Sequence, residues 1–305
     1  MKTEQTMKKS RKKLSSGTFF QRNLSGWMIM LPSVLLFFFL VWRPIGMGVV
    51  YSFFRLKNYV PVEFVGLQNY RDVLSDTLFL KTLWNTVQYV IWSIIIGFIP
   101  PILFAVIINE MVHINSFMKT SIYFPQIVPA VAAALVWYFL YLPGQSGVFN
   151  IILSKFGLPA NNWLQNAKQT IPLIIFMDFW NGCGGAMLLY LAALQGINQE
   201  LYEAAKIDGA GIPRRFMTVT FPSIFPIILL QFVRQIISVF QIMQQPMTLT
   251  GGGPNNASIS LNLTAFKYAF ERFQPERALA LGVVTFLILI VVTCFYFRVQ
   301  KKYGE

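Results

Sequence analysis

The sequence predicts an all-α, polytopic membrane protein with six transmembrane helices. Of its 305 residues, 55% are hydrophobic and only 12% are charged, which leaves too little polar surface for a domain that must face water. Apolar stretches near 26–54, 84–109, 118–142, 171–195, 221–245 and 277–298 each reach the roughly 20 residues that a helix needs to cross about 30 Å of hydrocarbon. A helix also satisfies its own backbone hydrogen bonds, as a lipid-embedded segment must. Between the stretches, Lys and Arg fall in excess on the side that carries both chain ends, an excess that rests on the basic N-terminal tail and puts both termini in the cytoplasm. The net charge of +13 is thereby explained by membrane lipid and topology, without a nucleic-acid partner.

Residues 1–25 read as a retained cytoplasmic tail. The apolar segment after it is longer than a secretory signal needs, and no small-residue cleavage site follows a short apolar core. The first span carries Arg43 beside Pro44, placed to snorkel to the outer interface. In the second and third spans, Pro100-Pro101 and Pro125 with Pro129 predict kinks. The short turn between these spans holds the one histidine, His113, which has no carboxylate or cysteine spaced to join it as a metal ligand. Cys183 and Cys294 fall within spans, and their spacing fits neither a disulfide framework nor a metal site. Long loops near 55–83, 143–170 and 246–276 lie on the side opposite the termini, where binding surfaces are commonly built. The last contains "LTGGGPNNAS", strong turn chemistry that reads equally as a flexible connector.

The fourth span contains "MDFWNGCGGAM". Asp178, Asn181 and Gly185 share a helical face, and Gly182 and Gly184 permit close approach of a helix or a ligand. Trp180 has the shape to stack on a sugar ring, although packing is the commoner use of a spanning aromatic. In the fifth span Gln231, Arg234, Ser238, Gln241 and Gln245 are spaced 3, 4, 3 and 4, which puts them on one face. Such a stripe is costly against lipid and belongs either on an aqueous path or in interhelical hydrogen bonding. Arg234 needs an anion at that depth. Asp178 on the neighbouring span is the default partner, and an acidic sugar or phosphate is the alternative.

Between these two spans, residues 196–222 form a polar insert. Asn198 caps a helix over 199–208, Gly209 and Gly211 stop it, and Pro213 suits the first turn of the helix that becomes the fifth span. Within the insert, Glu203-Ala204-Ala205 is followed after three residues by Gly209, after nine more by Val219, and after one more by Phe221-Pro222. This pattern resembles the EAA loop of permease subunits in binding-protein-dependent ABC importers. Val219 and Phe221 stand where that family prefers Ile and Leu. "GLQNYRDVL" and "LTGGGPNNAS" are similar to stretches of maltose-type carbohydrate permeases, so the likeness covers nearly the whole chain after the tail.

The resemblance implies a type I importer permease fold over residues 26–298, with residues 299–305 as a second cytoplasmic tail, in a bacterial plasma membrane. It implies that Glu203, Ala204, Ala205, Asp208, Gly209 and Pro222 couple to ATPases. It places solute contacts around the fourth-span glycines and in the fifth span, where Gly185 stands in place of a larger aromatic of the maltose permease. The implied partners are a homologous second permease, two cytoplasmic ATPase subunits and an extracytoplasmic solute-binding protein. No cofactor is expected on this chain: it has no GxxxxGK[ST] loop, so ATP and Mg are expected on the partner ATPase, and the chain itself is not an enzyme. The expected cargo is a sugar, most simply an oligosaccharide, with an acidic sugar or glycerol phosphate as the alternative within the class. A proton-coupled secondary transporter has a possible carrier in Asp178 but no need of the insert. A membrane-embedded enzyme lacks a base or second carboxylate beside Asp178.

Overall fold

The computed structural model describes residues 24–110 and 115–303. Most of the basic tail and His113 lie outside the described residues. The chain divides after Tyr51 into two units. In the first, one apolar helix, α1 (Gly26–Tyr51), is long enough to cross a membrane. A π-helical segment at Phe38–Trp42 precedes Arg43-Pro44.

The second unit, from Ser52, holds the other described elements. Its continuous candidate spans are α3 (Thr77–Glu110), α7 (Thr170–Gln195), α9 (Ile212–Phe240) and α12 (Pro275–Tyr303). The Pro100-Pro101 pair does not break α3. A π-helical segment at Ser93–Phe98 lies immediately before it and includes Ile96 and Gly97, whose carbonyls the two proline rings would otherwise meet.

The third predicted span is where the structure departs from a simple six-helix reading. It is a broken pair: α4 (Asn115–Tyr123) runs into a 3₁₀ turn, Phe124–Ile127, and α5 (Ala130–Leu140) leaves it at 96°. Pro125 and Pro129 frame the break. The loose carbonyls of Pro125 and Val128 are not left bare, because Asn181 Nδ2 of α7 donates to both, at 2.8 and 3.2 Å. Gly184 on α7 lets the break approach closely: a Cβ there would lie 2.4 Å from Tyr123 Cα and 2.6 Å from Ile122 O.

The long connections are structured. A hairpin of β1 (Phe54–Lys57) and β2 (Val60–Phe64) and then α2 (Gln68–Ser75) fill the first one. Asn69 ties α2 to the chain before it by donating to Ser52 O and Phe54 O at 2.8 and 2.9 Å. In the second, α6 (Val148–Lys155) supplies the buried Asn150, which donates to Gly144 O and Asn161 O and accepts from Trp163 Nε1, each at 2.9 Å.

The glycine-rich stretch after α10 (Gln244–Thr250) is pinned to α3. There, Lys81 Nζ donates to Asn255 O. One and two turns on, Asn85 donates to Asn256 O at 2.9 Å and Ile259 O at 3.0 Å, and the Tyr89 hydroxyl donates to Ser258 O at 2.8 Å. The spacing 81, 85, 89 puts the three donors on one helical face. The reading of this loop as a flexible connector is therefore replaced by a clamped turn, followed by α11 (Leu261–Phe266).

Candidate solute path and coupling loop

All nine sequence-predicted path residues line two adjoining cavities that share Asp178 and Ser238. The larger, about 690 Å³, takes Asp178, Asn181, Gly182 and Gly185 from α7 and Gln231, Arg234 and Ser238 from α9. The smaller, about 330 Å³, takes Gln241 and Gln245. Arg234, Ser238 and Gln241 are exposed on the open side of this single chain.

Gln241 and Gln245 reach the cavity differently from the stripe expectation. The α9 helix ends at Phe240, and α10 starts afresh at Gln244, so the five residues do not share one continuous helical face. The interruption is held by donors from the α11 segment: Ser260 Oγ donates to Ile242 O at 2.5 Å, and Asn262 Nδ2 donates to Gln241 O at 2.8 Å. Pro246 is the local cause, since its ring in a continued helix would meet the carbonyl of residue 242.

The predicted Arg234–Asp178 ion pair is not formed. Asp178 Oδ1 accepts from Gln245 Nε2 at 2.7 Å, and Arg234 Nη1 donates to Gln231 Oε1 at 3.1 Å, one turn back on its own helix. Among the described residues the ion pairs are Arg55–Glu63, Lys267–Glu271 and Arg277–Asp72, all away from the cavities. An amide on α10 lies against the carboxylate, and the guanidinium remains on the cavity wall.

Several wall residues were not foreseen. Gln126 sits in the broken third span, facing Gly185, where a Cβ would come 2.4 Å from Gln126 Oε1. Gln235 lies beside Arg234, and Gln244 and Asn262 edge the smaller cavity. Gly182 has open space above it. Trp180 does not line either cavity. It packs edge-on against Trp137, ring centroids 5.6 Å apart.

At the other end of α7 and α9, the insert folds as its sequence suggests. Asn198 caps α8 (Gln199–Ile207) by accepting from Glu200 N at 3.0 Å. Gly209 takes φ +73°, a left-handed conformation that costs an L side chain about 1–2 kcal/mol, and Ala210 N then donates to Ala205 O at 2.9 Å to close the helix. Pro213 lies in the first turn of α9. The Tyr202 hydroxyl meets Thr220 Oγ1 at 3.0 Å and ties α8 to α9. Glu203, Ala204, Asp208 and Pro222 are exposed, and Ala205 is half-buried. They share the surface with Leu201, Ile207 and Ile212, the last two 87% and 68% exposed, an apolar tip on a polar loop.

A bundle of this kind, with an exposed capped helix feeding one span and a polar wall along the same span, defines a membrane permease subunit. The chain belongs to the family of binding-protein-dependent transport system inner membrane components, whose model matches residues 102–305. It is 31% identical over 290 residues to a trehalose/maltose transport system permease protein of Thermococcus litoralis, covering 94% of this chain and 97% of that one. It is 27% identical over 293 residues to an arabinooligosaccharides transport system permease protein of Bacillus subtilis, covering 94% and 92%. In fold it matches a chain of a bacterial alginate ABC transporter in complex with an alginate pentasaccharide-bound periplasmic protein, with TM-score 0.84 and 23% identity over 94% and 97% of the two chains.

Proposed function

We propose that this chain is one half of the translocation path of an ATP-driven sugar importer, most simply one for an oligosaccharide. The observation that carries the reading is the open wall of amides with a hydroxyl: Gln126, Gln231, Gln235, Ser238 and Gln241 supply donors and acceptors of the kind sugar hydroxyls need. The carbohydrate permeases among its relatives support the same cargo class. A homologous second permease closes the open side, an extracytoplasmic binding protein delivers the sugar, and two cytoplasmic ATPase subunits, which carry ATP and Mg, drive the cycle. In this arrangement both termini and α8 are cytoplasmic.

Coupling follows from how α8 is held. Its apolar tip and Glu203 enter an ATPase cleft. Because Tyr202–Thr220 and the Gly209 turn fix α8 to α9, displacement of the ATPase is carried into the span that bears the path residues.

Sugar-dependent ATP hydrolysis by the complete complex in liposomes tests the reading. Glu203→Ala combined with Gly209→Pro is expected to abolish stimulated hydrolysis or assembly, the latter followed by co-purification, while the spans still insert. Unchanged stimulation and uptake would remove the coupling role from this loop and bring the secondary-transporter reading forward.

A further inference from the structure

We infer that the cargo carries a negative charge, a carboxylate or phosphate on a saccharide, and that Arg234 is the residue that binds it. This deepens the sugar-import reading and rests on it. Arg234 lies six residues before the end of α9 at Phe240, about 9 Å inside the helix by its rise per residue. At that depth an ionised guanidinium is costly unless it faces an anion or water. Asp178, on the wall of the same cavity, accepts from Gln245 through Oδ1 and forms no ion pair with Arg234. Among the described residues the guanidinium hydrogen-bonds to the neutral Gln231 amide alone, at 3.1 Å. Most of the five N–H donors in an arginine fork therefore have no partner among the described residues while Arg234 lines the larger cavity, and the fork matches the two oxygens of a carboxylate or phosphate.

The other polar groups of that cavity explain why the charge would be carried by a saccharide and not by a small ion. Tyr123, Gln126, Gln231, Gln235 and Ser238 line the same cavity as Arg234 with neutral polar groups. Among the described residues Asp178 is the one carboxylate on the wall, and it stands where the two cavities meet. When ionised, this carboxylate disfavours an anion at the junction, which leaves the Arg234 end for the acidic group of the cargo.

The test uses the complete importer with its binding protein in liposomes and three probes: maltotriose, trigalacturonate and glucose 6-phosphate. Uptake of trigalacturonate or of glucose 6-phosphate is expected to exceed that of maltotriose, and whichever is carried identifies the acidic group. Arg234→Gln is expected to lower that uptake at least about tenfold, and Arg234→Lys to recover part of it. If maltotriose is the better substrate and Arg234→Gln affects all probes alike, the charge inference fails while sugar import stands. If Arg234→Gln releases the second permease on co-purification, the guanidinium is a subunit contact and the inference is wrong. If none of the probes is taken up, the sugar reading itself falls, and this inference with it.

Discussion

Gln245 Nε2 on α10 donates to Asp178 Oδ1 on α7 at 2.7 Å, across the junction of the two cavities. The contact joins the helix after the α9 break to the helix that clamps the broken third span. Gln245→Leu leaves the carboxylate without its donor and is expected to cost about 1.5–3 kcal/mol, read as a lower Tm of the purified complex. Adding Asp178→Asn removes the charge and should recover most of the loss. An unchanged Tm in the single variant would mean that water replaces the amide without cost.

Two glycines on α7 separate packing from path. Gly184→Ala forces a methyl against the Tyr123 backbone and is expected to destabilise by about 1–3 kcal/mol. Gly182→Ala meets nothing within 4 Å and should keep its Tm while narrowing the larger cavity, so that only uptake falls. Equal Tm losses in both would refute the close approach at Gly184.

Acid should weaken the end of the bundle where the glycine-rich turn lies. Asp76 caps α3 through Leu78 N, and its Oδ2 accepts from the Tyr268 hydroxyl at 2.6 Å. The Tyr268 bond, more than any other contact, holds the Asp76 carboxyl below its usual value of 3.8, against the opposing effect of burial. Burial and the neighbouring carboxylate push the Tyr268 hydroxyl up to about 12, so it remains a donor. A depressed carboxylate stabilises the fold above its unfolded value, and the gain is lost as pH falls through the folded one. Stability should therefore drop on acidification below about pH 4, and Tyr268→Phe should make that drop shallower. Melting curves from pH 3 to pH 7 measure both.

Tyr202→Phe deletes only the hydroxyl that meets Thr220. It should leave assembly intact and lower solute-stimulated ATP hydrolysis, because α8 then moves partly free of α9. Full stimulation in this variant would place the rigid link in the Gly209 turn alone.

Much of this was legible in the sequence because membrane depth makes polar residues conspicuous. Gln231, Arg234 and Ser238 stood out by spacing alone, and the capped helix from Asn198 to Gly209 was written in local turn chemistry. What was not legible depended on neighbours distant in sequence. The end of α9 at Phe240 is held by Ser260 and Asn262, although Pro246 was an available signal. The pairing of Asp178 was misassigned because Gln245 becomes its partner only once α9 has ended and α10 has begun afresh. Gln126 reaches the cavity through the 96° bend at the third span, a direction that two prolines announce without specifying.

The bare face of α9 also bears on biogenesis. A newly inserted copy would press Arg234, Ser238 and Gln241 against acyl chains until another surface covers them, a costly exposure for the charge. In the proposed assembly, pairing with the second permease would be the step that covers this face and completes membrane insertion.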